Sequence, residues 1–491
     1  MISRRQFLTT AAAKGLVAAP GAASRPNVLF LGVDDWRDWV GCLGANPAVK
    51  TPNLDRLAAS GVLFTNAHCA APICNPSRTA LMTGLLPSST GIYANSQWWR
   101  PVLPEVVTLP GYFKQNGYYV AGAGKMFHHE PGFNDPQAWD DYYFWADQIK
   151  RDGWGGGYNS EVDVRPPRFP MSDVNGRRQN FDFSPVDRPD SDFPDYKVAS
   201  WAAGFLSRPQ GKPFFLGVGM FRPHLSWYVP RKYFDMYPLE SIKLPETIEN
   251  DLDDVPVAAL RMQQVAIPDE HKLVVKKGRW KEAIQAYMAC ITFSDAMVGR
   301  ILDRFEAGPH WKNTVVVLWS DHGYHLGEKS AWHKFTLWEE STRVPLMFSV
   351  PGLTKPGSRC SRPAGLIDLY PTLADLCGLP LKAGLDGRSL RPLLGNSRAA
   401  WDRPVLTTMG RNNHSLRDER WRYTRYADGS EELYDHQQDP KEWRNLASNP
   451  EHNAVKQRLA RSLPETNQPE APGKGAYTFD PAAYKWSKGR R

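Results

Sequence analysis

Four apolar runs, each ending in a polar cluster, constrain the fold of this chain most strongly. Asn27 to Val33 is followed at once by Asp34-Asp35, and Tyr118 to Ala123 by Gly124-Lys125. Phe214 to Met220 runs into Arg222-Pro223-His224, and Thr314 to Trp319 into Asp321-His322. A short, continuously apolar run bounded by turn signals reads as a strand buried on both faces, the kind that builds a parallel sheet covered by helices. Helical patterns separate the runs. Thr51-Pro52 opens a helix through Leu57, with Thr at the N-cap and Pro at the first position. Tyr196 to Leu206 and Asp368 to Cys377 are helical, and Lys281 to Phe305 places Ile284, Met288, Ile291, Ala296, Ile301 and Leu302 on one stripe. Leu346 to Val350 adds a strand. The alternation predicts an α/β sandwich on a mostly parallel sheet. Such sheets bind ligands beyond the carboxyl ends of their strands, so the polar clusters mark the candidate site.

The rest of the chain is organised around this unit. From about Arg403 short strands with turns (Trp421 to Tyr426, Glu432 to Tyr434) predict a smaller C-terminal α+β subdomain. Pro464 to Arg491 reads as an extended tail wrapping the surface, and the polar stretch Gly153 to Pro194 as long loops over the active face. Ser3-Arg4-Arg5-Gln6-Phe7-Leu8, followed by a weak apolar stretch to Ala19 and small residues, resembles a twin-arginine export signal. It implies the twin-arginine export machinery as a partner and a periplasmic or secreted location. That stretch is too short to cross a bilayer, and no second long apolar run follows, so no membrane segment is expected in the mature form. The expected division is residues 1–24 as signal, 25–395 as catalytic domain, and 396–491 as C-terminal subdomain and tail. A net charge of +8 favours anionic partners. Nucleic-acid motifs are missing, which ranks a sulfated or carboxylated glycan above nucleic acid. Of six Cys, Cys42, Cys69, Cys290, Cys360 and Cys377 show no metal-site spacing and read as small buried hydrophobes.

The sixth is different. Cys74-Asn75-Pro76-Ser77-Arg78 precedes Thr79-Ala80-Leu81-Met82-Thr83-Gly84. Pro76 and Ser77 read as a turn feeding a helix over Arg78 to Met82. Cys74 would then sit where backbone N–H groups and the helix dipole favour negative charge, with Arg78 one turn on. The plain alternative is a small Cys packed beneath that helix. The run resembles the modification signature of the type I, formylglycine-dependent sulfatases. Elements in family order accompany it: Thr51 to Leu57, Gly124-Lys125-Met126-Phe127-His128, Arg343-Val344-Pro345-Leu346, Asp386 to Leu390, Glu432 to Asp435, and Asp439 to Glu442. His322, where many members carry Asn, resembles the iduronate-2-sulfatase branch.

The resemblance implies an alkaline-phosphatase-like fold and a sulfuric ester hydrolase. It implies that a formylglycine-generating enzyme oxidises Cys74, and that the hydrated aldehyde attacks sulfur to give a covalent sulfo-enzyme. One divalent cation, Ca²⁺, would be held by Asp34, Asp35, Asp321, His322 and the residue-74 oxygen, since oxygen-rich sites select hard cations. Lys125 and Lys334 would hold the sulfate charge, and Arg78 would orient the hydrate. His224 is the candidate acid for the leaving oxygen, and His128 the candidate base. His325 and His333 read as structural or substrate-lining, and His68 and His129 as structural. The expected substrate is a sulfated, uronic-acid-containing carbohydrate, for which Arg and Trp residues between Trp98 and Arg188 could supply carboxylate forks and stacking faces. Two alternatives stay open: a phosphonate or phosphate monoester hydrolase of the same fold, and an unmodified glycan-binding pseudoenzyme with a thiol at Cys74.

Overall fold

The computed structural model describes residues 25–143, 174, 181–265 and 269–489. The expected export signal and most of the polar loops after Gly153 lie outside the described residues.

The central sheet has eight strands. In chain order they are β1 (Asn27–Val33), β2 (Val62–Phe64), β3 (Tyr119–Gly124), β4 (Asp141–Tyr143), β5 (Phe214–Gly219), β6 (Thr314–Ser320), β7 (Leu346–Ser349) and β8 (Ser358–Cys360). Their spatial order is β8-β2-β7-β6-β1-β5-β3-β4. Pairing is parallel except where β7 runs against β6 and β2. β1 lies at the centre, in register with β5 and β6, so the three strands end side by side.

The residues of β1 alternate between two apolar layers. Leu29, Leu31 and Val33 join the layer of helices Pro52–Ala59, Pro194–Leu206 and Trp280–Ala307, while Val28 and Phe30 join that of helices Cys74–Thr83, Leu109–Gln115 and Leu369–Leu376. β6 divides likewise, Val316 and Leu318 against Val315, Val317 and Trp319. This two-sided burial is why these runs are continuously apolar rather than alternating.

Several expected boundaries shift. The helix expected from Arg78 begins at Cys74, with Ile73 as N-cap. Pro76 is then the third helical residue, where its missing N–H costs no intrahelical bond. Thr51 does occupy an N-cap, but its hydroxyl accepts the N–H of Gly41 instead of capping the helix.

The C-terminal subdomain is an antiparallel meander of Val405–Thr408, His414–Arg417, Trp421–Arg425 and Glu431–Asp435. A buried ionic knot fastens it to the loop leading into β7. Arg422 Nε donates to Glu442 (2.5 Å), and its Nη atoms reach Glu339, Thr342 Oγ1 (2.9 Å), Ser415 Oγ (2.9 Å) and the Leu337 carbonyl (3.1 Å). Glu442 also accepts the Glu339 N–H at 2.9 Å and faces His436 Nε2 at 2.9 Å. The expected tail does not stay extended throughout: it ends in a hairpin, Tyr477–Asp480 with Lys485–Lys488. Among the described residues no helix is long and apolar enough to cross a membrane.

Candidate active site

The polar clusters converge where β1, β5, β3 and β6 end. Cys74, the first residue of its helix, is buried at their meeting point. Lys334 Nζ lies 3.4 Å and His322 Nε2 3.3 Å from its sulfur. Burial alone would raise this thiol. Lys125, Lys334 and His322, with a hydrogen bond from His128, outweigh that and hold it well below its ordinary value. The other five cysteines are free as well, and those described as buried have thiols pushed up by burial. Cys74 alone sits in a cationic setting.

Arg78, one turn along the helix, is fully buried and held on several sides. Its Nε donates to Asp321 Oδ2 at 2.8 Å, and Nη2 to Asp34 Oδ1 at 3.3 Å. Nη1 donates to the Lys125 carbonyl. Lys125 Nζ reaches the other oxygen of Asp34, and Lys334 Nζ donates to Asp35 Oδ1 at 2.6 Å. Three carboxylates are thus interleaved with three fixed cations at 0–8% side-chain exposure. Burial and the neighbouring Asp321 push the Asp34 carboxyl up despite Lys125. Asp321 is held low, Arg78 and His322 overcoming its burial.

Local backbone accounts for these positions. Asp35 has φ 58°, a left-handed conformation that Asp tolerates, and this turns the chain sharply off β1. Lys334 lies between His333 (φ 67°) and Phe335 (φ 82°), two uncommon left-handed residues flanking the lysine that reaches Cys74. At the end of β5 a Cβ on Gly219 would fall 2.1 Å from the Lys125 carbonyl, so only glycine lets the Lys125 loop come this close.

Asp34, Asp35, Cys74 and His322 offer donor atoms within 4.8 Å of one another. Asp321 stands at their edge, its Oδ2 3.6 Å from His322 Nε2 and its Oδ1 accepting the N–H groups of Asp35 (3.2 Å) and His322 (3.1 Å). The Gly323 carbonyl lies 3.0 Å from His322 Nδ1, which makes that nitrogen the donor and turns Nε2 to the cluster; against its burial, Asp321 holds this imidazole above its ordinary pKa, and loss of the Nε2 proton would free a lone pair for a cation. Converging carboxylates with one oriented imidazole are a donor set that fits a divalent cation.

A histidine wall closes the other side. His128 and His224 are each pushed down to about 4 by burial, which outweighs Cys74 at His128 and is reinforced by Lys125 and Lys334 at His224. The His224 ring lies on Phe221 at 4.6 Å, and the Asp195 carboxylate fixes its loop by accepting the N–H groups of Phe221 (2.8 Å) and Arg222 (2.9 Å). His129 lies between His128 and His224, at 4.5 and 5.7 Å. His68, His325 and His333 are occupied by Asn66, Thr336 and Tyr324 respectively. Sequence reasoning missed Asp195 and Lys474. The tail brings Lys474 onto Glu130, two residues from His128, and no local motif signals either contact.

Comparisons with known proteins point to one family. The sulfatase family model matches residues 26–379, and the model for the C-terminal part of N-sulphoglucosamine sulphohydrolase matches residues 327–469. A sulfatase of Formosa agariphila is 39% identical over 465 residues, covering 93% of this chain and 90% of that protein. Mouse iduronate 2-sulfatase is 30% identical, covering 72% and 69%. Among solved structures, the phosphonate monoester hydrolase of Silicibacter pomeroyi superposes with a TM-score of 0.73 at 23% identity, covering 89% of this chain and 94% of that one. That last likeness speaks to the fold alone.

Proposed function

We propose, for a chain that belongs to the sulfatase family and is a sulfuric ester hydrolase, that it desulfates a uronic-acid-containing glycan with formylglycine at position 74. The observation that carries this reading is the setting of Cys74: a buried helix N-terminus ringed by Lys125, Lys334, Arg78 and two histidines. A sulfate monoester resists hydrolysis because its oxygens repel nucleophiles and its alkoxide leaves poorly, so cations and a proton donor are what the site has to supply.

A calcium ion held by Asp34, Asp35, Asp321 and His322 would polarise the sulfate oxygens and acidify the residue-74 hydrate. Hydration of the aldehyde would give residue 74 two hydroxyls, one to attack sulfur and one to lose its proton when sulfate departs. Lys125 and Lys334 exchange Asp34 and Asp35 for sulfate oxygens. Arg78, immobilised by Asp321, Asp34 and the Lys125 carbonyl, orients the hydroxyls. His224 gives its proton to the leaving oxygen: an incoming anion cancels lysine charge and moves this imidazole up from about 4. His128, neutral at pH 7, takes the proton from the second hydroxyl.

The uronate part of the reading draws on the likeness to iduronate 2-sulfatase and on the +8 net charge. Export through the twin-arginine pathway to the periplasm or beyond completes it, on the strength of Arg4-Arg5 and the weak apolar stretch. The test is sulfate release from heparan, dermatan, chondroitin, ulvan and carrageenan fragments, beside aryl sulfate, phosphate and phosphonate. Release from uronate-containing fragments is expected. Response of carrageenan alone would end the uronate proposal, and faster aryl phosphonate turnover would favour the phosphonate hydrolase.

A further inference from the structure

The C-terminal hairpin builds a groove that the chemistry at Cys74 does not use. It encloses about 720 Å³ between Arg100, Pro101 and Pro104 on one side, Asn134 to Gln137 on another, and Tyr477, Tyr484, Lys485, Trp486 and Lys488 of the hairpin. The hairpin is seated by aromatic contacts: Phe479 lies 5.7 Å from Trp98 and 5.1 Å from Trp486. A Cβ on Gly132 would fall 2.8 Å from Trp98 Nε1 and 3.4 Å from Trp486 Nε1, so that glycine lets the loop pass close beneath both rings.

Two features of the groove point to a ligand, beside the half-buried Trp486 ring that lines it. Lys485 and Lys488 are exposed, and neither forms an ion pair with a described residue. Between Gly473 and Gly489 the sequence carries Lys474, Lys485 and Lys488 against a single acid, Asp480. Tyr and Trp faces beside unpaired lysines suit a polymer of rings that bear anionic groups, and the apolar ring faces and ammonium groups each have a counterpart in an anionic saccharide.

One loop links the groove wall to the active site. His128, beside Cys74, and Asn134 and Asp135, in the groove wall, belong to one loop, so about 20 Å of chain joins them at most. Lys474 on Glu130 occupies the middle of that path.

We propose that this groove is an accessory subsite for the anionic saccharide chain that extends from the sugar being desulfated. This rests on the glycan reading above. The subsite gives the enzyme a preference for longer chains, and Trp486 with Lys485 and Lys488 carries that preference.

The test compares Trp486→Ala and Lys485→Ser/Lys488→Ser with the parent chain. Binding of a heparin octasaccharide and disaccharide is measured on a Cys74→Ala background, and turnover of a small aryl sulfate on the intact Cys74 background. Octasaccharide affinity is expected to fall about tenfold or more, with disaccharide affinity and aryl sulfate turnover unchanged. Unchanged octasaccharide affinity in both variants overturns the subsite and leaves the sulfatase reading standing. A parallel fall in aryl sulfate turnover also overturns it, because the hairpin would then be a structural strap. If the parent chain binds no heparin octasaccharide and releases no sulfate from any glycan fragment, the glycan reading fails and takes the subsite with it.

Discussion

Replacing Arg422 by Met tests whether the ionic knot holds the C-terminal sheet against the loop that carries Lys334. Arg422 is 1% exposed in its side chain and donates to Glu339, Glu442, Thr342, Ser415 and the Leu337 carbonyl. Met fills much of the volume but leaves the buried Glu442 without its main cation and Glu339 with only Arg417 and His436 close by. Removing one partner of a buried pair costs about 3–5 kcal/mol. Unfolding entropy of ~2.1 cal/mol/K per residue gives about 1 kcal/mol per degree for a 491-residue chain. The melting temperature should therefore drop by about 3–5 °C in differential scanning fluorimetry at fixed scan rate. Arg422→Met combined with Glu442→Gln should recover part of that loss, because the second change removes one of the stranded charges. A drop under about 1 °C, or strict additivity in the double variant, refutes the knot as an energetic clamp.

Other expectations follow from the same geometry. Burial would raise the Glu442 carboxyl, but Arg422 and His436 hold it at about 2 against an ordinary 4.5. An acid held low in the folded state stabilises above pH 4.5 and loses that contribution as pH falls towards 2, so Glu442→Gln should flatten the acid side of the stability curve. Asp321→Asn should cut sulfate ester turnover by on the order of a hundredfold and weaken calcium retention, with circular dichroism unchanged. Elemental analysis that finds a stoichiometric transition metal in active enzyme would contradict the hard-cation assignment. Arg4→Lys with Arg5→Lys should leave the protein in the cytoplasm, and normal periplasmic accumulation would sink the export reading.

What could be read from the sequence depended on whether the cause was local. β1, β6 and the Trp280–Ala307 helix were legible because two-sided or one-sided burial writes itself into consecutive residues. The three-residue strands Val62–Phe64 and Ser358–Cys360 are too short to carry a period. The reversed direction of β7 leaves no local mark, since pairing with β6 is decided across the fold. Pro76-Ser77 reads as a turn and lies instead in the first turn of a helix, because proline needs no partner there. Within the site, the strand-end pairs Asp34-Asp35 and Asp321-His322 do come together around Cys74. Lys474 reaches Glu130, and the aromatic hairpin reaches Trp98, only through long-range packing of the tail, which no motif announces.

The central claim is that position 74 is a formylglycine, and the mass of one peptide decides it. Trypsin releases Leu57 to Arg78, which holds both Cys69 and Cys74. Protein purified from a host with a formylglycine-generating enzyme should give this peptide about 18 Da below the unmodified mass, with fragment ions placing the loss at residue 74 and a single alkylated cysteine at Cys69. Two alkylated cysteines and no mass loss, in a preparation that releases sulfate at full rate, would contradict the account.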